Sequence, residues 1–226
     1  MIGVFDSGEG GLCTVEKIKE LSPKTDICFL ADRENAPYGT KTRSEIISVT
    51  KKNIRRLREA GASKVLIACC TASSTFPYLT NEEKQISVPV IEATARAALE
   101  KSQTKKIGVI ATRATAASGA FEKAIKEIDR SAQIWTEGTQ ELVTLIEDGA
   151  CDGKLKKRDT EQIRTILSRI RDYPFDTLIL GCTHFPRLEN TISGILERET
   201  VSSALAGAYE ILKSTENTGS GRTIFL

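Results

Sequence analysis

Short apolar blocks rich in β-branched residues alternate along the chain with longer segments whose apolar positions recur at helical spacing. This alternation predicts an α/β fold with mainly parallel strands flanked by helices. The blocks Ile2–Phe5, Asp26–Ala31, Lys64–Cys69, Val88–Ile91, Lys105–Ala111, Gln133–Thr136 and Asp176–Gly181 read as strands. The segments Leu12–Leu21, Arg43–Ala60, Thr94–Lys101, Ala117–Asp129, Glu141–Glu147, Thr160–Asp172, Leu188–Arg198 and Ala204–Ser214 read as helices, and a polar tail follows the last.

Two stretches resemble each other. Val65-Leu66-Ile67-Ala68-Cys69-Cys70-Thr71 and Thr177-Leu178-Ile179-Leu180-Gly181-Cys182-Thr183 both run strand, cysteine, threonine. Ile2-Gly3-Val4-Phe5 likewise matches Ile107-Gly108-Val109-Ile110. The expectation is two similar lobes, each a mainly parallel sheet with helices, meeting at a cleft. Residues 1–91 with 204–226 would form the first, and residues 92–203 the second.

With 226 residues, 40% apolar and 27% charged, the chain can bury a sizeable core, which excludes intrinsic disorder. Its longest apolar runs fall far short of the roughly 20 residues that span a bilayer. The N-terminus enters an apolar block with no basic region or cleavage-site pattern, so the chain reads as cytoplasmic with no membrane partner. The net charge is +2, and the densest basic stretches, Lys51–Arg58 and Lys154–Arg158, lack interleaved aromatics. They read as solvated faces, and no nucleic-acid partner is expected. Six cysteines in such a chain are expected as free thiols. With no CxxC pair and one histidine, no metal site is expected.

Several polar motifs fall at strand ends, where parallel α/β sheets bind ligands. Asp6-Ser7-Gly8-Glu9-Gly10-Gly11 lies between a strand and a helix, where glycines permit close backbone approach and a helix N-terminus offers free N–H groups. It is neither a dinucleotide fingerprint, since Cys13 stands where the third glycine belongs, nor a P-loop. Its alternative reading is a tight strand-to-helix turn. Cys69 and Cys182 end equivalent strands. A lone cysteine is usually a small buried apolar residue, and Cys13, Cys28 and Cys151 keep that reading, but a matched pair could remove and return a proton. His184, the sole histidine, follows Cys182 closely enough to assist its deprotonation. Glu147, at the end of a helix, reads by itself as a surface carboxylate.

In order, Val4-Phe5-Asp6-Ser7-Gly8-x-Gly10-Gly11, Pro37-Tyr38-Gly39-Thr40-Lys41, Ile67-Ala68-Cys69-x-Thr71-Ala72-Ser73 and Leu180-Gly181-Cys182-Thr183-His184-Phe185-Pro186 resemble the glutamate racemases of the aspartate/glutamate racemase superfamily. The resemblance implies two α/β lobes enclosing glutamate, a catalytic cysteine from each lobe, and no cofactor. It implies that Asp6 assists Cys69, that His184 and Glu147 assist Cys182, and that Asp6, Ser7, Tyr38, Gly39, Cys70, Thr71, Thr115, Thr183 and His184 bind substrate. It also implies D-glutamate supply for peptidoglycan, and allows a homodimer. Where the family pattern has Asn after the first cysteine, this chain has Cys70, which exchanges an amide for a weak S–H donor. Racemisation of aspartate or another amino acid, or a binding role in the same cleft, therefore stays open beside glutamate racemisation.

Overall fold

The structure is a computed structural model that describes residues 1–215 and 219–226. Its strands are β1 (Ile2–Asp6), β2 (Ile27–Ala31), β3 (Lys64–Ile67), β4 (Ser87–Pro89), β5 (Lys106–Ala111), β6 (Gln133–Gly138), β7 (Thr177–Gly181), β8 (Glu199–Ser202) and β9 (Thr223–Phe225). They form two sheets, ordered β4-β3-β1-β2-β9 and β6-β5-β7-β8, and every pairing is parallel. Setting β1 against β5, β2 against β6, β3 against β7 and β4 against β8 gives one strand order repeated. The two lobes are therefore similar in topology, as the repeated sequence blocks suggest, with β9 an addition to the first.

The central strands are apolar without alternation because both faces are covered. All five residues of β1 and all five of β7 are buried. One core cluster joins Ile2, Val4 and Leu66 of the first sheet to Ile107, Val109 and Ile179 of the second. The helices Val90–Lys101 and Ser203–Lys213 belong to it and pack on each other, so the sheets share an interior. Each sheet packs its other face on helices of its own, around Ile54 and Leu57 for the first and Ile163 and Leu167 for the second. Among the described residues no helix is long and apolar enough to cross a membrane.

The structure departs from the sequence pattern in a few places. Val90 and Ile91 open the helix Val90–Lys101 rather than ending a strand, because Pro89 closes β4. The segment Ala117–Asp129 divides into Arg113–Ser118 and Ala120–Ile128 at Gly119, whose φ of +63° no other residue adopts cheaply. The polar tail carries β9, and its residues 216–218 lie outside the described residues.

Candidate active site

Cys69 caps the short helix Cys70–Ser73 just beyond β3, and Cys182 follows β7 directly. Since β3 and β7 are topological equivalents, the two thiols occupy matched strand ends. They are 5% and 6% exposed, and both line one narrow pocket of about 40 Å³. Ser7, Tyr38, Gly39, Cys70, Thr71, Glu147, Thr183 and His184 line it as well. Asp6 and Thr115 do not. Both are fully buried one layer behind, Asp6 against Thr183 and Thr115 against Thr71.

The surroundings of Cys182 form a chain of polar groups. His184 Nδ1 lies 3.6 Å from the Cys182 sulfur, and His184 Nε2 lies 3.7 Å from Glu147 Oε1. A thiol, an imidazole and an orienting carboxylate thus stand in the order that general-base activation requires. Glu147 keeps 56% of its side chain exposed, while His184 keeps 15%. Glu147 gains this place because the helix Gln140–Glu147 ends against the turn Phe185–Leu188. Burial drives the Cys182 thiol well above its ordinary value, with charge at Cys70, Cys69 and Asp6 adding to the rise and the His184 backbone N–H opposing it.

The surroundings of Cys69 are sparser. Its thiol donates to Ser7 Oγ at 3.5 Å. Burial first and the Asp6 carboxylate second, against the opposing Ser7 hydrogen bond, push it up to about 11. Asp6 itself is lifted above the ordinary carboxylate range by burial, against the opposing charge of His184 and hydrogen bonds from the Gly8 and Gly11 N–H groups and the Thr183 hydroxyl. Neighbouring Cys70 is also pushed up by burial, and it packs into the shared core with Val90 and Ile91.

Two hydrogen-bonded bridges cross between the lobes. Thr183, after β7, donates to Asp6 at the end of β1 at 3.0 Å. In the mirrored position Thr71, after β3, lies 3.0 Å from the hydroxyls of both Thr112 and Thr115, after β5, which are 2.9 Å from each other. Gly10 serves the first bridge. A Cβ there would stand 2.6 Å from Thr183 Oγ1 and 2.9 Å from His184 Nδ1, so only glycine lets the first lobe approach this closely.

The model of the Asp/Glu/Hydantoin racemase family matches residues 13–211. The chain belongs to this family. The glutamate racemase of Aquifex aeolicus (strain VF5) is 35% identical over 97% of this chain and 85% of its own length. The crystal structure of glutamate racemase isoform RacE1 from Bacillus anthracis superposes with a TM-score of 0.88 at 32% identity, covering 100% of this chain and 86% of that one. Glutamate racemase from Francisella tularensis subsp. tularensis SCHU S4, solved in complex with D-glutamate, superposes with a TM-score of 0.86 at 29% identity over 99% of this chain and 86% of that one.

In this racemase-family chain, the phenol of Tyr38 turns away from the pocket that its residue lines. It donates to the buried carboxylate of Asp32 at 2.5 Å, and Asn53 Nδ2 binds both Asp32 and the Tyr38 oxygen, at 2.8 and 2.9 Å. Tyr38 is therefore a prop for the turn that carries Gly39. Outside the quoted motifs, sequence reasoning missed the wall residues Ala36, Thr112, Gln140 and Val143. Thr112 follows a strand end as Thr71 does, a signal present in the sequence. Gln140 and Val143 belong to the same helix face as Glu147, at a spacing of three and four residues, so Glu147 could have led to them. Among the described residues, no group of three or more His, Cys, Asp and Glu is arranged to hold a metal ion.

Proposed function

We propose that this chain interconverts L- and D-glutamate without a cofactor, with Cys69 and Cys182 as its two acid–base groups, and so supplies D-glutamate for peptidoglycan in the cytoplasm. Two thiols buried at matched strand ends on the walls of one pocket carry this reading. The glutamate racemases of Aquifex aeolicus and Bacillus anthracis, similar over nearly the whole chain, support the substrate. Residues 1–91 with 204–226 and residues 92–203 act as the two lobes that close on it.

Inversion requires two bases, because a proton returned to the face it left regenerates the starting enantiomer. One cysteine, as thiolate, takes the α-proton and becomes a thiol. The electron pair of the broken C–H bond delocalises into the α-carboxylate, and the carbon becomes planar. The opposite cysteine gives its thiol proton to the other face and becomes a thiolate. Each turnover thus moves the proton deficit from one sulfur to the other.

Forming the first thiolate is the costly step. A thiol with a pKa of about 11 is ionised only about once in ten thousand molecules at pH 7. On the Cys182 side the imidazole accepts that proton, held in place by Glu147. On the Cys69 side the charge of Asp6 by itself disfavours the thiolate, so Asp6 assists only as a proton acceptor from behind, and the substrate ammonium favours the thiolate electrostatically. The developing charge on the substrate carboxylate is met by the hydroxyls of Thr71 and Ser7.

Incubation with L-glutamate in deuterated water, followed by chiral chromatography and α-proton NMR, tests this. The expected result is D-glutamate carrying deuterium at the α-carbon. If neither glutamate nor aspartate exchanges its α-proton, the enzyme reading fails, and exchange of aspartate alone reassigns the substrate.

A further inference from the structure

One polar group in the pocket wall has no part in the proton transfer. Gln140 opens the helix Gln140–Glu147 and faces the pocket together with Val143 and Glu147. Its Oε1 is shut off from solvent and has no hydrogen-bond partner among the described residues. Buried side-chain polar atoms are paired in the large majority of cases, so this one calls for a partner from outside the chain. The amide presses on the first lobe's turn: a Cβ on Gly39 would lie 2.5 Å from Oε1 and 3.3 Å from the Thr112 side chain. Gly39 thus keeps open the space that the amide occupies.

Charge decides what this end of the pocket suits. Among the described residues no lysine or arginine lines the pocket, so an anionic ligand group must be held by neutral donors. Both carboxylates of the site lie elsewhere. Glu147 is seven residues along the helix, about 10 Å away, beside His184. Asp6 stands behind Thr183. The substrate ammonium belongs near those carboxylates, and its second carboxylate at the uncharged end. A half-turn about the last torsion of Gln140 exchanges Oε1 for Nε2 in nearly the same place, and that torsion is broad and two-fold. The amide can therefore present N–H to a carboxylate.

We propose that Gln140 recognises the side-chain carboxylate of the substrate and sets the preference for an acidic over a neutral side chain. This rests on the racemase reading and extends it to specificity. The contact is made equally in the ground state and the transition state, so its loss raises KM and leaves kcat nearly alone.

Two variants test it, Gln140→Met, which keeps length without polarity, and Gln140→Glu, whose charge is favourable at a helix N-terminus and should not impair folding. Glutamate and glutamine are compared by α-deuterium exchange and as competing ligands. Both variants should raise KM for glutamate about ten- to a hundredfold with kcat little changed. Gln140→Glu should also lower the glutamate-to-glutamine ratio of kcat/KM, or of inhibition constants, at least about tenfold, since it repels a carboxylate and accepts from an amide. Should Gln140→Glu prove unstable on melting, the KM rise in Gln140→Met carries the test. A fall in kcat at unchanged KM, or equal weakening of glutamate and glutamine, would overturn the proposal. No exchange of either amino acid by the unmodified protein would instead overturn the racemase reading beneath it.

Discussion

The Cys69 half of the pocket and the Cys182 half are built on the same strand order and end in the same nucleophilic atom, yet they surround it differently. Cys182 has an imidazole 3.6 Å away, backed by a carboxylate. Cys69 has a serine hydroxyl at 3.5 Å and a buried aspartate that acts on it through charge. The cross-lobe bridges differ in the same sense: the one nearer Cys182 ends on the carboxylate of Asp6, and the one nearer Cys69 is a triangle of threonine hydroxyls. In the proposed racemisation a symmetric fold supplies two bases on opposite faces, while unequal neighbours let one sulfur gain and lose its proton by a route the other lacks. On that proposal the substrate supplies on the Cys69 side what His184 supplies on the other.

The sharpest way to break this comparison is to remove each sulfur in turn. Cys69→Ser and Cys182→Ser should each lower racemisation by about a thousandfold or more, since a serine hydroxyl ionises far less readily. Each variant retains one thiol, so residual α-deuterium exchange should persist for one enantiomer only, and for opposite enantiomers in the two variants. If Cys70→Ser is inactive while Cys69→Ser retains activity, the role belongs to the neighbouring thiol.

Removing the helpers should give smaller and unequal effects. His184→Asn should cost about a hundredfold in kcat/KM, within the usual range for a positioned acid–base group. Ser7→Ala should cost less than about tenfold. Because the two enantiomers have equal free energy, kcat/KM must fall by the same factor in both directions. The inequality must therefore be read in kcat and KM separately.

A finer test is the pH profile of kcat/KM, which reports the free enzyme. The Ser7 hydrogen bond favours the Cys69 thiolate, so Ser7→Ala should push the rising limb of thiolate formation, near 11, to higher pH. Glu147→Gln should leave that limb where it is. Movement of the limb in Glu147→Gln alone would mean that Cys182, not Cys69, sets it.

Much of this arrangement was legible in the sequence, for definite reasons. Strands buried on both faces, such as β1 and β7, announce themselves as unbroken apolar runs, and the repeated strand–cysteine–threonine blocks pointed to matched strand ends. Of the four edge strands, β4 and β6 were legible too, whereas β8 and β9 were not. β8 is half exposed with Glu199 and Thr200 on it, and β9 is three residues held by backbone pairing to β2. β8 carries no apolar signature, and the Thr223-Ile224-Phe225 run of β9 is too short to stand out at the end of a polar tail. In the pocket, residues within motifs were found, whereas Gln140 and Thr112 have ordinary neighbours and acquire meaning only from what folds against them. Asp6 and Thr115 were nominated as direct contacts but stand one layer back, since spacing along a chain does not separate a wall from its support.

The smallest expected effect concerns the support of the first half. Asp32 is 3% exposed and bonded to Tyr38, Asn53 and Asn35. Burial alone would raise its pKa, but those donors outweigh burial and hold it below the ordinary 3.8. A carboxylate whose folded pKa is depressed contributes stability that is present above its unfolded value and is lost as pH falls through its folded value. Tyr38→Phe removes one of the donors. It should cost about 1–3 kcal/mol at pH 7, at about 2–4 °C of Tm for each kcal/mol in a chain of this size. As pH falls below 3.8 and through that depressed folded value, the carboxylate of the unaltered protein protonates, and the gap between the two melting curves should narrow. A gap that stays constant while pH is taken from 7 down through the folded value of Asp32 would show that Tyr38 supports the Gly39 turn by packing alone, and would remove the charged buttress from the Cys69 half.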